Sequence, residues 1–252
     1  MSRRVLVTAG ASGIGREIVK EFVATGAKVF ICDIDQDAID VLSRELAGVG
    51  TMRCDVSKRD QNESMVEAAL QWLGGIDVLV NNAGIAGPMV PVEEFPPEEW
   101  DRVVQVNLTA AFDITRRSIP ALKASPAGVV IVISSAAGRF GYPNRIAYAA
   151  TKWGLIGFTK TLAMELGAFG IRCNAILPGA VEGKRVESVI EKQANLQGRS
   201  IDEVRAESMR NQSLKRRVDP KDIAALAVFL SSSAGRSISG QALAIDNDIQ
   251  RL

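Results

Sequence analysis

The sequence contains no histidine, and aromatic residues make up only 5% of its 252 residues, with two tyrosines among them. The absence of histidine excludes a Ser-His-Asp hydrolase, a histidine-ligated zinc site and a histidine proton shuttle. Any proton transfer must therefore use tyrosine, lysine or carboxylate side chains, or a bound cofactor.

The sequence also has no excess of either charge and no long apolar run. Thirty basic and 29 acidic residues leave a net charge of +1, so no bulk field attracts nucleic acid or an anionic membrane. No apolar run reaches the ~18 residues of a membrane span, and Met-Ser-Arg-Arg leads into a strand pattern rather than a signal core. Cys32, Cys54 and Cys173 lie far apart in or beside apolar strands. This favours buried thiols in a cytoplasmic protein over a disulfide framework or a metal site.

Short apolar runs alternate with amphipathic segments along the whole chain, which is typical of a parallel sheet covered on both faces. We predict an α/β fold, a doubly wound parallel seven-stranded sheet, as one domain over residues 1–252. The predicted strands are 4–8, 28–32, 51–55, 77–81, 128–134, 171–177 and 241–245. The predicted helices are 14–24, 36–47, 59–73, 97–123, 147–168 and 220–232, with two more in a stretch over 182–217.

The first forty residues predict a βαβ unit with a glycine-rich first turn, Ala-Gly-Ala-Ser-Gly-Ile-Gly over residues 9–15. Gly13 and Gly15 would let the backbone approach a pyrophosphate at the N-terminus of the helix, where N–H groups favour anions. A tight turn in an unrelated α/β protein is the alternative.

Asp33 ends the second predicted strand, where a carboxylate can accept both hydroxyls of an adenosine ribose and would repel a 2′-phosphate. Ser12 and Ile34 supply no basic side chain for such a phosphate, so the turn favours NAD over NADP. A strand-end turn or helix-capping aspartate is the alternative.

Tyr148 and Lys152 lie four residues apart, so on a helix they share one face. A cation beside a phenol favours phenolate, which would bring tyrosine toward acid–base catalysis near neutral pH. Ser135 ends an apolar run thirteen positions upstream. Taken alone, the Tyr-Lys pair could equally be a solvated helix face.

Seven motifs in this order resemble the short-chain dehydrogenase/reductase family along essentially the whole chain. They are residues 8–15, Asp55 with Val56, the Asn-Asn-Ala-Gly of residues 81–84, Asn107, Ser135, Tyr148 with Lys152, and Pro178 with Gly179. The resemblance implies a Rossmann-like domain with strand order 3-2-1-4-5-6-7, a nicotinamide cofactor, interconversion of alcohols and carbonyls, and a homotetramer.

The resemblance also implies a role for each member of a Ser-Tyr-Lys-Asn site. Tyr148 would exchange a proton with the substrate oxygen, and Lys152 would bind the nicotinamide ribose and lower the pKa of Tyr148. Ser135, rather than Ser134, would fix the substrate oxygen, and Asn107 would anchor a water that links Lys152 to solvent. The alternative for Ser135 is a strand-end hydroxyl that caps a turn. The alternative for Asn107 is a buried amide whose hydrogen bonds are made by the backbone.

Cofactor contacts follow from the same resemblance. Asp55 and Val56 would end the third strand beside the adenine, and Val181 would meet the carboxamide. The full implied set is Gly10, Ser12, Gly13, Ile14, Gly15, Asp33, Asp55, Val56, Asn82, Ala83, Gly84, Tyr148, Lys152, Pro178, Gly179 and Val181.

Three departures from the family pattern stand out. Its turn usually reads Thr-Gly-Ala, whereas this chain has Thr8-Ala9-Gly10, so we expect a slightly different turn. Gly183 stands where a threonine often holds the carboxamide. Asp-Asn-Asp, residues 246–248, replaces a common Asp-Gly-Gly.

In the family, the region corresponding to residues 182–217 forms a lid over the substrate. Lys184 and Arg185 begin it, and the planar guanidinium of Arg185 suggests an anionic substrate group. Solvated or subunit-contacting cations are the alternative.

The hypothesis that follows is an NAD(H)-dependent oxidoreductase of a secondary alcohol or ketone. A 3-oxoacyl-thioester reductase is the runner-up, although Asp33 argues against its usual NADP. A non-catalytic regulator that senses NAD redox state is the alternative from another class, and it would need the glycine-rich turn but not Tyr148 and Lys152.

Overall fold

The computed structural model describes residues 2–251, apart from the side chains at positions 184 and 185. Its centre is a parallel seven-stranded sheet with the order β3-β2-β1-β4-β5-β6-β7, as predicted. The strands are β1 (Arg4–Thr8), β2 (Lys28–Asp33), β3 (Gly50–Arg53), β4 (Val78–Asn81), β5 (Val129–Ile133), β6 (Arg172–Pro178) and β7 (Ala242–Ile245). The order reverses between β1 and β4, which is the crevice where doubly wound sheets bind ligands.

Helices connect successive strands. They are α1 (Gly13–Ala24), α2 (Gln36–Glu45), α3 (Arg59–Leu73), α4 (Pro97–Val104), α5 (Ala110–Ala124), α6 (Ile146–Leu166), α7 (Lys184–Gln197), α8 (Ile201–Arg210) and α9 (Pro220–Ser231). Side chains cap the starts of α8 and α9: Ser200 and Glu203 form a capping box, and the Asp219 side chain accepts the Lys221 N–H at 2.8 Å.

Two apolar layers cover the sheet because successive strand side chains point to opposite faces. On β1, Leu6 packs with α3, α5 and α6 on one face. Val5 and Val7 pack with α1, α2 and α9 on the other. Strands buried on both faces explain why the sequence shows continuous apolar runs rather than alternation.

Most element boundaries agree with the prediction to within one or two residues, and two differences bear on the site. The single helix predicted over 97–123 is interrupted by a π-helical turn, Gln105–Thr109, between α4 and α5. The third strand ends at Arg53, so Asp55 follows the strand instead of ending it. Asp55 is used in a turn, where its side chain accepts the Ser57 N–H at 3.0 Å and its own N–H donates to Gln61 at 2.8 Å.

Helices α7 and α8 occupy the stretch where two helices were expected, and they share a small apolar cluster of Ile190, Ala194 and Val204. Among residues 2–251, no helix combines the length and apolarity needed to cross a membrane.

Candidate active site

Tyr148 and Lys152 lie on the first turns of α6, one helical turn apart. The Lys152 ammonium nitrogen is 5.6 Å from the centroid of the Tyr148 ring. Lys152 is 4% exposed, whereas Tyr148 is half-buried. The pair therefore does not form a solvated helix face: the cation is held inside the protein beside a phenol that substrate can reach.

Lys152 is hydrogen-bonded to residues at the end of β5 through both its side chain and its backbone. Its ammonium donates to the Ile133 carbonyl at 2.9 Å, and its backbone carbonyl accepts the Ser134 hydroxyl at 2.8 Å. Ser134 is thus a structural residue that fixes α6 against the sheet. These bonds satisfy part of the hydrogen-bonding capacity of a buried ammonium and fix its position.

Ser135, the next residue, begins a short 3₁₀ turn, Ala136–Gly138. Its hydroxyl oxygen accepts the Ala137 N–H at 3.1 Å, and the residue is half-buried. The same hydroxyl can still donate a hydrogen bond to a substrate oxygen.

Asn107 lies in the π-helical turn and is 1% exposed. Its side-chain oxygen accepts the Ile85 N–H at 2.8 Å, and its amide donates to the Ile85 carbonyl at 3.0 Å and to Thr151 at 3.1 Å. The Thr151 hydroxyl in turn donates to the Tyr148 carbonyl at 2.8 Å. Asn107 therefore joins the loop after β4 to the catalytic helix.

Gly84 lies between the two buried polar groups. A Cβ atom added to Gly84 would be 3.3 Å from the Asn107 side-chain oxygen and 3.5 Å from the Lys152 ammonium. The structure thus brings Asn107, Lys152 and the 81–84 motif to one place. Thr8 adds to this junction, because its hydroxyl accepts the N–H groups of Asn82 and Ala83, both at 3.0 Å.

The glycine-rich turn suits a pyrophosphate. Gly13 has φ +53°, which favours glycine, and no atom lies within 4 Å of a Cβ placed there. A Cβ on Gly15 would be 2.1 Å from the Ala9 carbonyl oxygen, so a larger residue cannot be accommodated. The N-terminus of α1 has no side-chain cap and no acidic residue in its first turn. Its N–H groups remain available to an anion.

The expected departure in this turn has a specific form. Ala9 adopts the left-handed conformation, with φ +50°, at the position where glycine is usual. Gly10 serves a different purpose: a Cβ on it would be 2.7 Å from Ile31, so this position must lack a side chain. The Asn82 side chain supports the strained residue by donating to the carbonyls of Thr8 and Ala9, at 3.1 and 3.0 Å.

Asp33 ends β2 beside the turn and is 7% exposed. One carboxylate oxygen accepts the Ala11 N–H at 3.0 Å and the other accepts the Asp35 N–H at 3.2 Å. Each oxygen retains further acceptor capacity, so ribose hydroxyls can still be bound. The turn and the carboxylate together fit an adenine dinucleotide.

The other predicted cofactor residues lie at the same edge of the sheet. Val56 is buried just after β3, and Pro178 ends β6. A Cβ on Gly179 would be 2.8 Å from Asp246, which accounts for the glycine. Val181 pairs with Val218 in an isolated parallel bridge. The predicted substrate residue Arg185 lies outside the described side chains.

Sequence reasoning missed Arg145, which is 4% exposed and stacks near both tyrosines of the chain. The signal was its position three residues before Tyr148, at the N-cap of the same helix. An open groove of about 750 Å³ lies nearby, between residues 90–93 and 141–150, and Tyr142 lines it. Neither Tyr148 nor Lys152 lines that groove, so the chemistry is better located by the hydrogen-bonded residues than by this concavity.

Comparisons with known proteins agree with this geometry. The family model described as enoyl-(acyl carrier protein) reductase matches residues 8–247. A D-beta-hydroxybutyrate dehydrogenase from Cupriavidus necator is 38% identical over 245 residues, 94% of each chain. The structure of an actinorhodin polyketide ketoreductase variant with NADPH has a TM-score of 0.93 and 32% identity, covering 98% of this chain and 96% of that one. A 3-ketoacyl-(acyl-carrier-protein) reductase from Brucella melitensis, complexed with NADH, has a TM-score of 0.87 and 33% identity over 97% of each chain.

A doubly wound sheet with a phosphate-binding turn and a Tyr-Lys pair on one helix defines a dinucleotide-dependent oxidoreductase. The chain belongs to the short-chain dehydrogenase/reductase family and acts on CH–OH groups.

Proposed function

We propose that the protein interconverts a secondary alcohol and a ketone with NAD(H), and that Tyr148 is its acid and base. The observation that carries the proposal is the buried Lys152 ammonium beside the half-buried Tyr148 phenol. A solvated helix pair would have no such burial. The cofactor, when bound, supplies or accepts the hydride.

The protein's own residues handle the proton. Tyr148 gives its proton to the forming alkoxide during reduction and removes it from the alcohol during oxidation. The positive charge of Lys152 favours the phenolate and lowers the pKa of Tyr148. Ser135 donates a hydrogen bond to the substrate oxygen and holds it near the phenol. Asn107 orients the loop and helix around Lys152 and anchors the water that connects it to solvent.

We assign dinucleotide contacts to the glycine-rich turn and to the carboxyl ends of the strands. Backbone N–H groups of the turn and α1 would hold the pyrophosphate, and Asp33 would accept the adenosine ribose hydroxyls. The residues of this proposed surface are Gly10, Ser12, Gly13, Ile14, Gly15, Asp33, Asp55, Val56, Asn82, Ala83, Gly84, Tyr148, Lys152, Pro178, Gly179 and Val181.

The preference for NAD over NADP rests on Asp33, a buried carboxylate with no basic residue beside it at Ser12 or Ile34. Replacing Asp33 by Ala should narrow the NADH-over-NADPH ratio of kcat/KM at least tenfold, since a charge-assisted hydrogen bond is worth roughly 1.5–3 kcal/mol. Asp35→Ala is the matched control, because Asp35 only caps α2 through the Ala38 N–H. A wild-type preference for NADPH would contradict this assignment.

We further propose that residues 182–217 form the substrate lid and that Arg185 contributes a cation to it. Two helices joined by a three-residue apolar cluster suit an element that opens and closes. Arg185→Ala should raise KM for an anionic substrate by one to two orders of magnitude, equivalent to roughly 1.5–3 kcal/mol, and leave a neutral analogue unaffected.

A 3-oxoacyl-thioester reductase is the second candidate, favoured by the resemblance to the Brucella melitensis reductase. It predicts reduction of an acyl thioester with a preference for NADPH. A non-catalytic sensor of NAD redox state would bind NADH and turn nothing over, and the burial of Lys152 beside Tyr148 argues against it.

A cytoplasmic homotetramer completes the proposal. The three cysteines are buried thiols without disulfides, which suits a reducing compartment, and burial raises the pKa of Cys173 to about 12. Phe112 on α5 and Trp153 on α6 are 46% and 51% exposed, which suits burial between subunits. Light scattering in solution measures the assembly directly.

The experiment that tests the function is a substrate screen. Sugars, polyols, hydroxy acids and steroids are incubated with NAD⁺, and NADH absorbance is followed. We expect turnover of a secondary alcohol that disappears in Tyr148→Phe. No turnover with any class, together with tight NADH binding, would support the sensor instead.

A further inference from the structure

Arg145 is a buried cation at the N-terminus of α6. The residue is 4% exposed, and its guanidinium carbon lies 5.1 Å from the centroid of the Tyr148 ring and 5.3 Å from that of Tyr142. The only two tyrosines of the chain thus flank one arginine, and one of them is the proposed acid–base residue.

The described part of the chain supplies no counter-ion to this charge. Among the described side chains of residues 2–251, no carboxylate forms an ion pair with Arg145, and its buried Nε has no hydrogen-bond partner. Arg139, in the same segment, differs: it lies 3.6 Å from Asp246 and is 43% exposed. A buried charge without a partner is costly, and two aromatic faces offset only part of that cost.

The surrounding backbone holds Arg145 in place. Its N–H donates to the Tyr142 carbonyl at 3.2 Å, and its carbonyl accepts the Ala149 N–H at 2.9 Å. Asn144 has φ +63°, a conformation that asparagine tolerates, and its carbonyl accepts the Val90 N–H at 3.1 Å. These backbone hydrogen bonds fix the position from which the Arg145 side chain extends.

We propose that Arg145 binds a carboxylate carried by the substrate, so that the substrates are short hydroxy acids and the matching oxo acids. This deepens the proposed function and rests on it. A carboxylate would accept hydrogen bonds from the unpartnered Nε and an adjacent N–H of the guanidinium as a planar, two-point contact. Because the guanidinium stacks beside the Tyr148 ring, only a few bonds would separate the carboxylate from the reacting carbon.

Two other roles would place an arginine here. It could act only on the Tyr148 phenol through its charge, or it could only pack between the rings. The electrostatic effect on Tyr142 is already modest, since burial raises the pKa of that phenol and Arg145 opposes the rise without cancelling it. Both alternatives predict equal effects on charged and neutral substrates, whereas carboxylate binding predicts a difference.

The experiment compares 2- and 3-hydroxy acids of three to six carbons with their methyl esters, with NAD⁺, in wild type, Arg145→Gln and Arg145→Lys. We expect Arg145→Gln to raise KM for the best acid ~10–100-fold and to leave KM and kcat for its ester within about threefold. Arg145→Lys should be intermediate, since it keeps the charge but not the planar contact. Arg139→Gln is the matched control and should leave the acid-to-ester ratio unchanged.

Equal losses on acid and ester, no loss on either, or a wild type that prefers the ester would overturn the proposal while leaving the proposed function intact. If wild type turns over neither substrate, the wider screen of sugars, polyols and steroids decides the proposed function. Calorimetry then decides the role of Arg145: binding of the oxo acid to the wild-type NADH complex that disappears in Arg145→Gln supports it, and absence of binding to wild type overturns it.

Discussion

The catalytic centre and the α7–α8 segment are stabilised in different ways. Around Asn107 and Lys152, which are 1% and 4% exposed, buried hydrogen bonds join β5, α6 and the loop after β4. The α7–α8 segment has three buried apolar side chains and ion pairs such as Arg205 with Glu187, whose side chains are 44% and 47% exposed. Exposed pairs contribute little stability. The groups proposed to transfer the proton are therefore held rigidly, whereas α7 and α8 are weakly attached.

The largest expected effect comes from removing one oxygen at the rigid centre. Tyr148→Phe should lower kcat/KM by ~10²–10⁴-fold, because only the proton transfer is lost while the ring keeps its packing against Arg145. The NADH dissociation constant, measured by fluorescence titration, should change less than about threefold. A residual rate within tenfold of wild type would contradict the role of Tyr148.

Lys152→Met tests whether the buried cation serves both tyrosine and cofactor. It should lower turnover by roughly 10²-fold and also weaken NADH binding by about tenfold, since one charge-assisted hydrogen bond is lost. Lys160→Met is the control on the same helix, because the Lys160 ammonium donates to the Gly240 carbonyl at the surface. An unchanged NADH dissociation constant in Lys152→Met would remove the ribose role.

The sequence predicted all seven strands because strands buried on both faces are continuous apolar runs. Their order followed from the family resemblance and is the order observed. It placed Asp55 wrongly at a strand end, since nothing local shows that its carboxylate accepts the Ser57 N–H in a turn. Caps were predictable, because Ser200 and Glu203 act within one helical turn.

Features that depend on distant partners were not predictable. The π-helical turn at Asn107 accompanies bonds to Ile85 and Thr151, 22 and 44 residues away in the chain. The burial of Arg145 depends on how Tyr142 and Tyr148 pack around it, and a charged residue before a helix is ordinarily exposed. The motifs therefore predicted which kinds of site the chain contains, but not the distances and burial of the side chains that form them.

The same substitution, isoleucine to alanine, made once in the sheet and once in the α7–α8 segment, tests the difference in stability between these two regions. Ile131→Ala, in the centre of β5, should lower the free energy of unfolding by about 2–5 kcal/mol. Ile190→Ala, in the α7–α8 cluster, should leave the main urea transition within about 1 kcal/mol, because these helices can open locally. In Ile190→Ala, a protease should cut within residues 184–210 faster than it does in wild type. Equal destabilisation by both changes would show that the segment unfolds together with the sheet.

The smallest effect concerns the strained residue of the phosphate-binding turn. Ala9→Gly relieves a left-handed conformation that costs roughly 1–2 kcal/mol for a residue with a Cβ, against about 0.4–1 kcal/mol for the added freedom of the unfolded chain. We therefore expect a gain of between zero and about 1.6 kcal/mol in the free energy of urea unfolding, with the Asn82 bond to the Ala9 carbonyl retained. Ala11→Gly is the control in the same turn: Ala11 has no positive φ and its N–H already binds Asp33, so that change should destabilise by roughly 0.5–1 kcal/mol. Destabilisation by Ala9→Gly as well would mean that the turn carries no strain at this position, and that its family glycine is replaced without cost.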